Sequence, residues 1–257
     1  MLYALSIGAG HDELSFTTEN SEGVTLQAYP TQALVIGPVD IAILGMLGDF
    51  DRRMAVHGTQ RIELHRPVSA AGSARSTTEV TGVHDKGKAA VISLATRTVD
   101  TETGDPLFTS TTGLFIRGAG GFGASVGESG ERHPVPERRP DREIDAATGV
   151  DQALLYRLNG DRNPLHSDPA FATAVGFERP ILHGLCTFGI AGRVLVHALC
   201  GGEGARVRAI EGRFSAPVLP GDTLRVQVWE AAAGEAAFAV LGPDGKPVLS
   251  DGRFTFA

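Results

Sequence analysis

Between Asn159 and Pro169 the chain reads NGDRNPLHSDP, and in it Asp161 stands five residues before His166. A carboxylate accepts a proton and an imidazole titrates near neutral pH. With a stiff turn between them, both can face one small volume, an arrangement suited to moving protons to and from a water. The same spacing also fits a turn aspartate beside a core histidine, and spacing alone does not separate the two readings. A metal set of Asp161, His166, Asp168 and His183 is a third reading. It is weaker, because Asp168 has a helix to cap and no HxxxH or CxxC pattern supports it.

The second chemical feature is the run PILHGLCTFG, Pro180 to Gly189. Gly184 falls where a long apolar segment begins. A helix starting there offers free N–H groups at its positive end, and glycine lets a ligand approach them, which suits an oxyanion hole for a thioester carbonyl. Close helix packing is the plainer reason for a glycine at that point.

Local signals say what positions these residues. Thr148 with Asp151 predicts an N-cap and a short helix through Leu158, ended by Asn159-Gly160. Asp168-Pro169 predicts the next helix start, and Pro164 stiffens the loop between. Apolar stretches of helical length run from Thr31 to Leu47 and from Gly184 to about Leu199. Each is followed by strand-like alternation, a turn (Gly104-Asp105-Pro106-Leu107; Gly245-Lys246-Pro247-Val248) and a closing strand, Thr112–Ile116 or Arg253–Phe256. The stretch from His57 to Val68 is echoed by that from Val207 to Gly221. Two α+β units packed side by side follow, divided at 1–118 and 146–257. Residues 119–145, rich in Gly, Pro and charge, read as a linker. The GxGxxG match at Gly118, Gly120 and Gly123 is set aside as a dinucleotide loop because no helix follows it.

Composition narrows the partners. The 257 residues carry 30 acidic and 23 basic side chains, a formal charge of −7 that argues against nucleic acid. Two cysteines, Cys186 and Cys200, make no disulfide framework. The N-terminus lacks a signal-peptide pattern, and Pro38 and Asp40 break the most apolar run, so no membrane span is expected. The C-terminal GRFTFA carries no peroxisomal tripeptide. The expectation is a cytoplasmic protein.

The stretch YRLNGDRNPLHSDPAFATAVGFERPILHGLCTFG resembles the hydratase 2 signature of the MaoC-like family, which includes the hydratase domain of type 2 peroxisomal multifunctional enzymes. Val56-His57-Gly58, Asp85-Lys86-Gly87, Gly120–Gly123, Arg213–Val218 and Pro220-Gly221 are similar to that domain too, so the likeness spans the chain. It implies an α+β double hot-dog fold, with the first unit lacking the Asp/His loop, and a homodimer with one active site per chain. It also implies (R)-specific hydration of trans-2-enoyl-CoA, or the reverse dehydration. By this likeness Asp161 and His166 are the catalytic pair and Gly184 polarises the thioester carbonyl. The 161–166 loop (Arg162, Asn163, Pro164 and Leu165 included) lines the substrate, and His57, Gly58, Lys86 and Phe214 contact the acyl-CoA. No metal or other cofactor is implied, since CoA belongs to the substrate. Arg162 and Arg61 replace aromatic residues of the family, so chain-length preference does not carry over. A hot-dog thioesterase and a non-catalytic acyl-CoA-binding subunit are the rival readings; a mere binder has no need of both Asp161 and His166.

Overall fold

The computed structural model describes residues 1–51, 54–127 and 132–257. Among the described residues, ten strands form one continuous antiparallel sheet. They are β1 (Ala55–Leu64), β2 (Ala74–Asp85), β3 (Ala89–Asp100), β4 (Pro106–Arg117), β5 (Ser125–Gly127), β6 (Arg142–Ala147), β7 (Val207–Phe214), β8 (Thr223–Glu230), β9 (Glu235–Leu241) and β10 (Pro247–Phe256). Their order is β5-β2-β3-β4-β1-β7-β10-β9-β8-β6. Read outward from the centre, each half repeats one pattern: the first long strand, then the fourth, third and second, then a short edge strand. The halves join where β1 pairs with β7, from Thr59 opposite Arg213 to Glu63 opposite Ala209. The two stretches that echo each other in sequence are therefore neighbours at the seam. This is the double hot-dog, an α+β architecture.

In the second half the expected helix is present. Gly184–Cys200, the longest helix, is buried on nearly every side and ends at Gly201 in the left-handed conformation. On one side it meets the sheet; on the other it meets the N-terminal segment, and glycines allow the second approach. A Cβ on Gly189 would stand 2.6 Å from Ile7 Cγ2 and 2.8 Å from the Tyr3 hydroxyl, and one on Gly192 would stand 2.6 Å from Thr31 Cγ2.

In the first half the helix expected over Thr31–Leu47 is not continuous. The segment consists of a 3-10 turn at Pro30–Gln32, one α-turn at Ala33–Ile36, and a 3-10 stretch at Ile41–Met46 capped by Asp40, whose side chain accepts from Ala42 N. Pro38 cannot donate to a helix. Gly37 lies so close to the sheet that a Cβ there would meet Thr98 and Ser76 oxygens and the Phe108 ring within 2.9 Å. Without a long helix over it, this half holds a cavity of about 410 Å³, lined by Leu47, Phe50, Val83, Ala90, Ile92 and Ile116 among others.

Two further expectations are corrected. The 119–145 linker is partly sheet, since it supplies β5 and the start of β6. Between them Arg132 and His133 reach Asp251 and Glu211, and Trp229 Nε1 donates to the Arg138 carbonyl, so the chain crosses the outer face of the second half. Thr148 caps no helix. Its hydroxyl donates to the Asp222 carbonyl and accepts from Gly221 N, holding the turn before β8, and the helix begins only at Gln152; it runs to Tyr156 and continues as a 3-10 turn through Asn159, so its expected end at Asn159-Gly160 holds. The stretch of the GxGxxG match serves the protein itself: the N–H groups of Gly123 and of Gly121, which lies between the match glycines, donate to the Asp85 carboxylate at 2.6 and 2.9 Å.

Candidate active site

The Asp161/His166 loop is anchored at both ends. Gly160, at φ +123°, closes the 3-10 turn Arg157–Asn159, and Asn159 donates to Ser6 Oγ and to the Tyr156 carbonyl. Downstream, Asp168 caps Pro169–Ala174 by accepting from Ala170 and Phe171 N–H, as its Asp-Pro pair predicts. Inside the loop, Asn163 N donates to Asp161 Oδ1 at 3.1 Å, and Asn163 Oδ1 caps the turn Pro164–His166 through Leu165 N at 3.0 Å. Asn163 and Pro164 thus shape the loop, Leu165 is half-buried within it, and Arg162 points into solvent.

His166 is buried, and its Nδ1 lies 2.9 Å from the Ile181 carbonyl. A carbonyl only accepts, so Nδ1 carries the proton and Nε2 presents its lone pair. Burial pushes the His166 pKa below the usual imidazole range, offset in part by the Ile181 carbonyl and by Asp161. The ring is therefore neutral at neutral pH. One carboxylate oxygen of Asp161 and one ring nitrogen each of His166 and His183 lie within 4.8 Å of one another. A single water making two ordinary hydrogen bonds spans such a gap.

His183, considered from sequence only as a metal ligand, sits at the centre of this group. Its Nε2 donates to the Asp161 carbonyl at 3.2 Å, and its ring stacks on His166 with centroids 3.7 Å apart and planes 26° from parallel. Burial, then the neighbouring His166, lowers its pKa to about 4. With His166 Nδ1 and His183 Nε2 both facing backbone carbonyls, one ring lone pair remains on each, at His166 Nε2 and His183 Nδ1. Asp168, the fourth residue of the metal reading, is occupied as a cap.

Gly184 follows directly as the first residue of the long helix. Among the described residues neither its N–H nor that of Leu185 has a protein acceptor, whereas Cys186 and Thr187 N–H return to the His183 carbonyl. A Cβ on Gly184 would stand 3.2 Å from Phe214 Cε1. Phe214, at the end of β7, in turn lies 4.6 Å from the His57 ring. His57 comes from β1 in the other half and faces the site because the strand is irregular between His57 and Thr59. Gly58 permits this: a Cβ there would press on the Gly113 carbonyl at 3.1 Å.

The Gln60 amide nitrogen donates to the Arg61 and Thr111 carbonyls. Its oxygen is left to accept from Thr112 Oγ1 and from His57 Nε2, both at 3.0 Å. Burial takes the His57 pKa down to about 4, against an opposing pull from Gln60 and, more weakly, Asp161. Asp161, His166, Gly184, His57 and Phe214 are thus gathered from both halves. Lys86 is not: it lies exposed in the β2–β3 turn, beside the glycine loop.

Two family models divide the chain: residues 1–118 match the MFE-2 hydratase 2 N-terminal domain and residues 131–240 the MaoC like domain. The chain is 47% identical to 3-hydroxyacyl-thioester dehydratase Y of Mycobacterium tuberculosis, covering 100% of this chain and 91% of that protein. It is 38% identical to a probable enoyl-CoA hydratase 2 of Dictyostelium discoideum, with 98% and 87% covered. A MaoC-like dehydratase from Phytophthora capsici superimposes with a TM-score of 0.91 at 33% identity, over 100% of this chain and 90% of that one. No helix among the described residues is long and apolar enough to cross a membrane.

Proposed function

Because the chain belongs to the MaoC-like hydratase 2 family, we propose that Asp161, His166 and Gly184 are the groups with which it adds water across trans-2-enoyl-CoA to give (3R)-3-hydroxyacyl-CoA. It is a hydro-lyase, and the same groups serve the reverse dehydration. The observation that carries the residue assignment is the His166 tautomer. With Nδ1–H committed to the Ile181 carbonyl, Nε2 is free to accept from a water that the Asp161 carboxylate also holds.

The water oxygen bonds to C3 as one of its O–H bonds breaks, and that proton passes to the Asp161/His166 pair. The electron pair of the double bond moves toward the thioester, where the Gly184 N–H stabilises the negative charge on oxygen. A proton delivered to C2 from the same face completes the addition. No metal or redox step is part of this scheme, and CoA enters only with the substrate.

We place the acyl chain beyond C3 toward the first half. His57 pairs with Leu114, Leu114 with Ile92, and Ile92 with Val83, so adjacent strands lead from the site to the cavity of the first half. That cavity supports its use by the chain beyond C3. A homodimer acting in the cytoplasm completes the proposal.

The test is hydration of trans-2-enoyl-CoAs of increasing length, followed by loss of enoyl absorbance. The product is then offered to an (S)-specific 3-hydroxyacyl-CoA dehydrogenase. No NADH should form; rapid NADH formation overturns the (3R) assignment. Release of free thiol would mark a thioesterase instead.

A further inference from the structure

His183 is 1% exposed, and its ring lies between Tyr156, 4.9 Å away, and His166, 3.7 Å away. Three structural connections meet in it. Its Nε2–H holds the backbone carbonyl of Asp161, its face supports the imidazole of His166, and its own carbonyl accepts the Cys186 and Thr187 amides that open the helix of Gly184.

As a packing element the residue is poorly chosen. Its Nδ1 is buried with no hydrogen-bond partner, an uncompensated desolvation that phenylalanine would avoid while filling the same space. What phenylalanine lacks is the N–H to Asp161. We infer that His183 is a positioning residue for the hydration: it carries Asp161 on its N–H and His166 on its face, and so sets the gap that the shared water must span. The inference rests on the proposed roles of Asp161 and His166. It adds a residue that acts through both groups.

The physical argument is one of distance. Asp161 is exposed, and its loop closes on itself through the short bonds of Asn163. Among the described residues, the His183 Nε2–H bond ties the Asp161 backbone to the buried side of the site. Released from it, the carboxylate shifts relative to His166 Nε2, and a misplacement of about 1 Å can cost on the order of 10²-fold in rate.

The test compares His183→Phe and His183→Gln with the parent on a trans-2-enoyl-CoA, recording kcat, KM and Tm. His183→Phe keeps the ring and loses the N–H, so kcat should fall about 10- to 100-fold while KM stays within about 3-fold. Its Tm should not fall, because the unpartnered nitrogen is gone. His183→Gln keeps an N–H of similar reach and should recover part of the lost kcat. A His183→Phe protein with kcat within about 2-fold of the parent overturns the inference, as does a loss of activity that only tracks a fall in Tm. If His183→Phe does not fold, His183→Leu, which also lacks the N–H, decides by the same measure: kcat within about 2-fold of the parent overturns the inference, and a lowered kcat with unchanged KM and Tm upholds it. A folded parent that hydrates no enoyl-CoA would instead overturn the functional reading.

Discussion

Lowering the pH should unfold this protein through the same histidines that line its site. His57 and His183 have pKa values of about 4 in the fold, against 6.5 for a free imidazole. Between these values the unfolded chain binds protons that the native rings refuse, so stability falls as pH falls. The contribution is fully present above pH 6.5 and is lost progressively toward pH 4. For one such ring, going from pH 7.5 to 5.0 removes about 2 kcal/mol, and for two about 4 kcal/mol. That is a large share of the roughly 5–15 kcal/mol that holds a typical domain together.

Glu13 adds to the loss in the same direction. Despite the cost of its burial, Arg193 and Tyr29 hold its carboxyl below the usual carboxylate range, so protonating it also favours the unfolded chain. Urea unfolding at pH 7.5, 6.5, 5.5 and 5.0 measures the slope. His183→Phe removes one of the two rings and should lessen the loss by about 2 kcal/mol. Stability unchanged from pH 7.5 to 5.0 would refute the reasoning, as would a slope that His183→Phe leaves untouched.

Other perturbations address the chemistry and the packing. Asp161→Asn and His166→Gln should each lower kcat by about 10²–10⁴, with the double variant little worse than the poorer single one, and acyl-CoA affinity nearly unchanged. Steady-state kinetics and ligand titration on the three proteins check this. Gly184→Pro removes the proposed oxyanion donor and should cost about 10²–10³ in kcat with a native-like circular dichroism spectrum. Gly189→Ala would ordinarily favour a helix. Here the new methyl meets Ile7 and Tyr3 at under 3 Å, and thermal melting should show a loss of about 1–3 kcal/mol.

The Asp161/His166 loop was legible in the sequence because its determinants are local. Gly160, Asn163, Pro164 and the Asp168-Pro169 cap each act within a few residues, and the structure shows each of them shaping the loop. The paired halves were legible as well, since the alternation and turns recur with the same layout. Non-local partners defeated the same reasoning elsewhere. Thr148 has the residue type of a cap, but its hydroxyl is taken by a turn more than seventy residues away. The apolar run from Thr31 has helical length, but Gly37 pressed on Thr98 and Phe108, with Pro38 after it, breaks it into short turns and leaves a cavity.

His183 shows the division most clearly. Its identity and its place before Gly184 are plain in the sequence. That its ring supports His166 and its N–H holds Asp161 depends on a helix start, a loop and a 3-10 turn converging from separate stretches of chain. Residue types and short spacings determine which chemistry is available here. Only packing between distant segments decides which nitrogen carries the proton, which amide stays free, and how far apart the reacting groups stand.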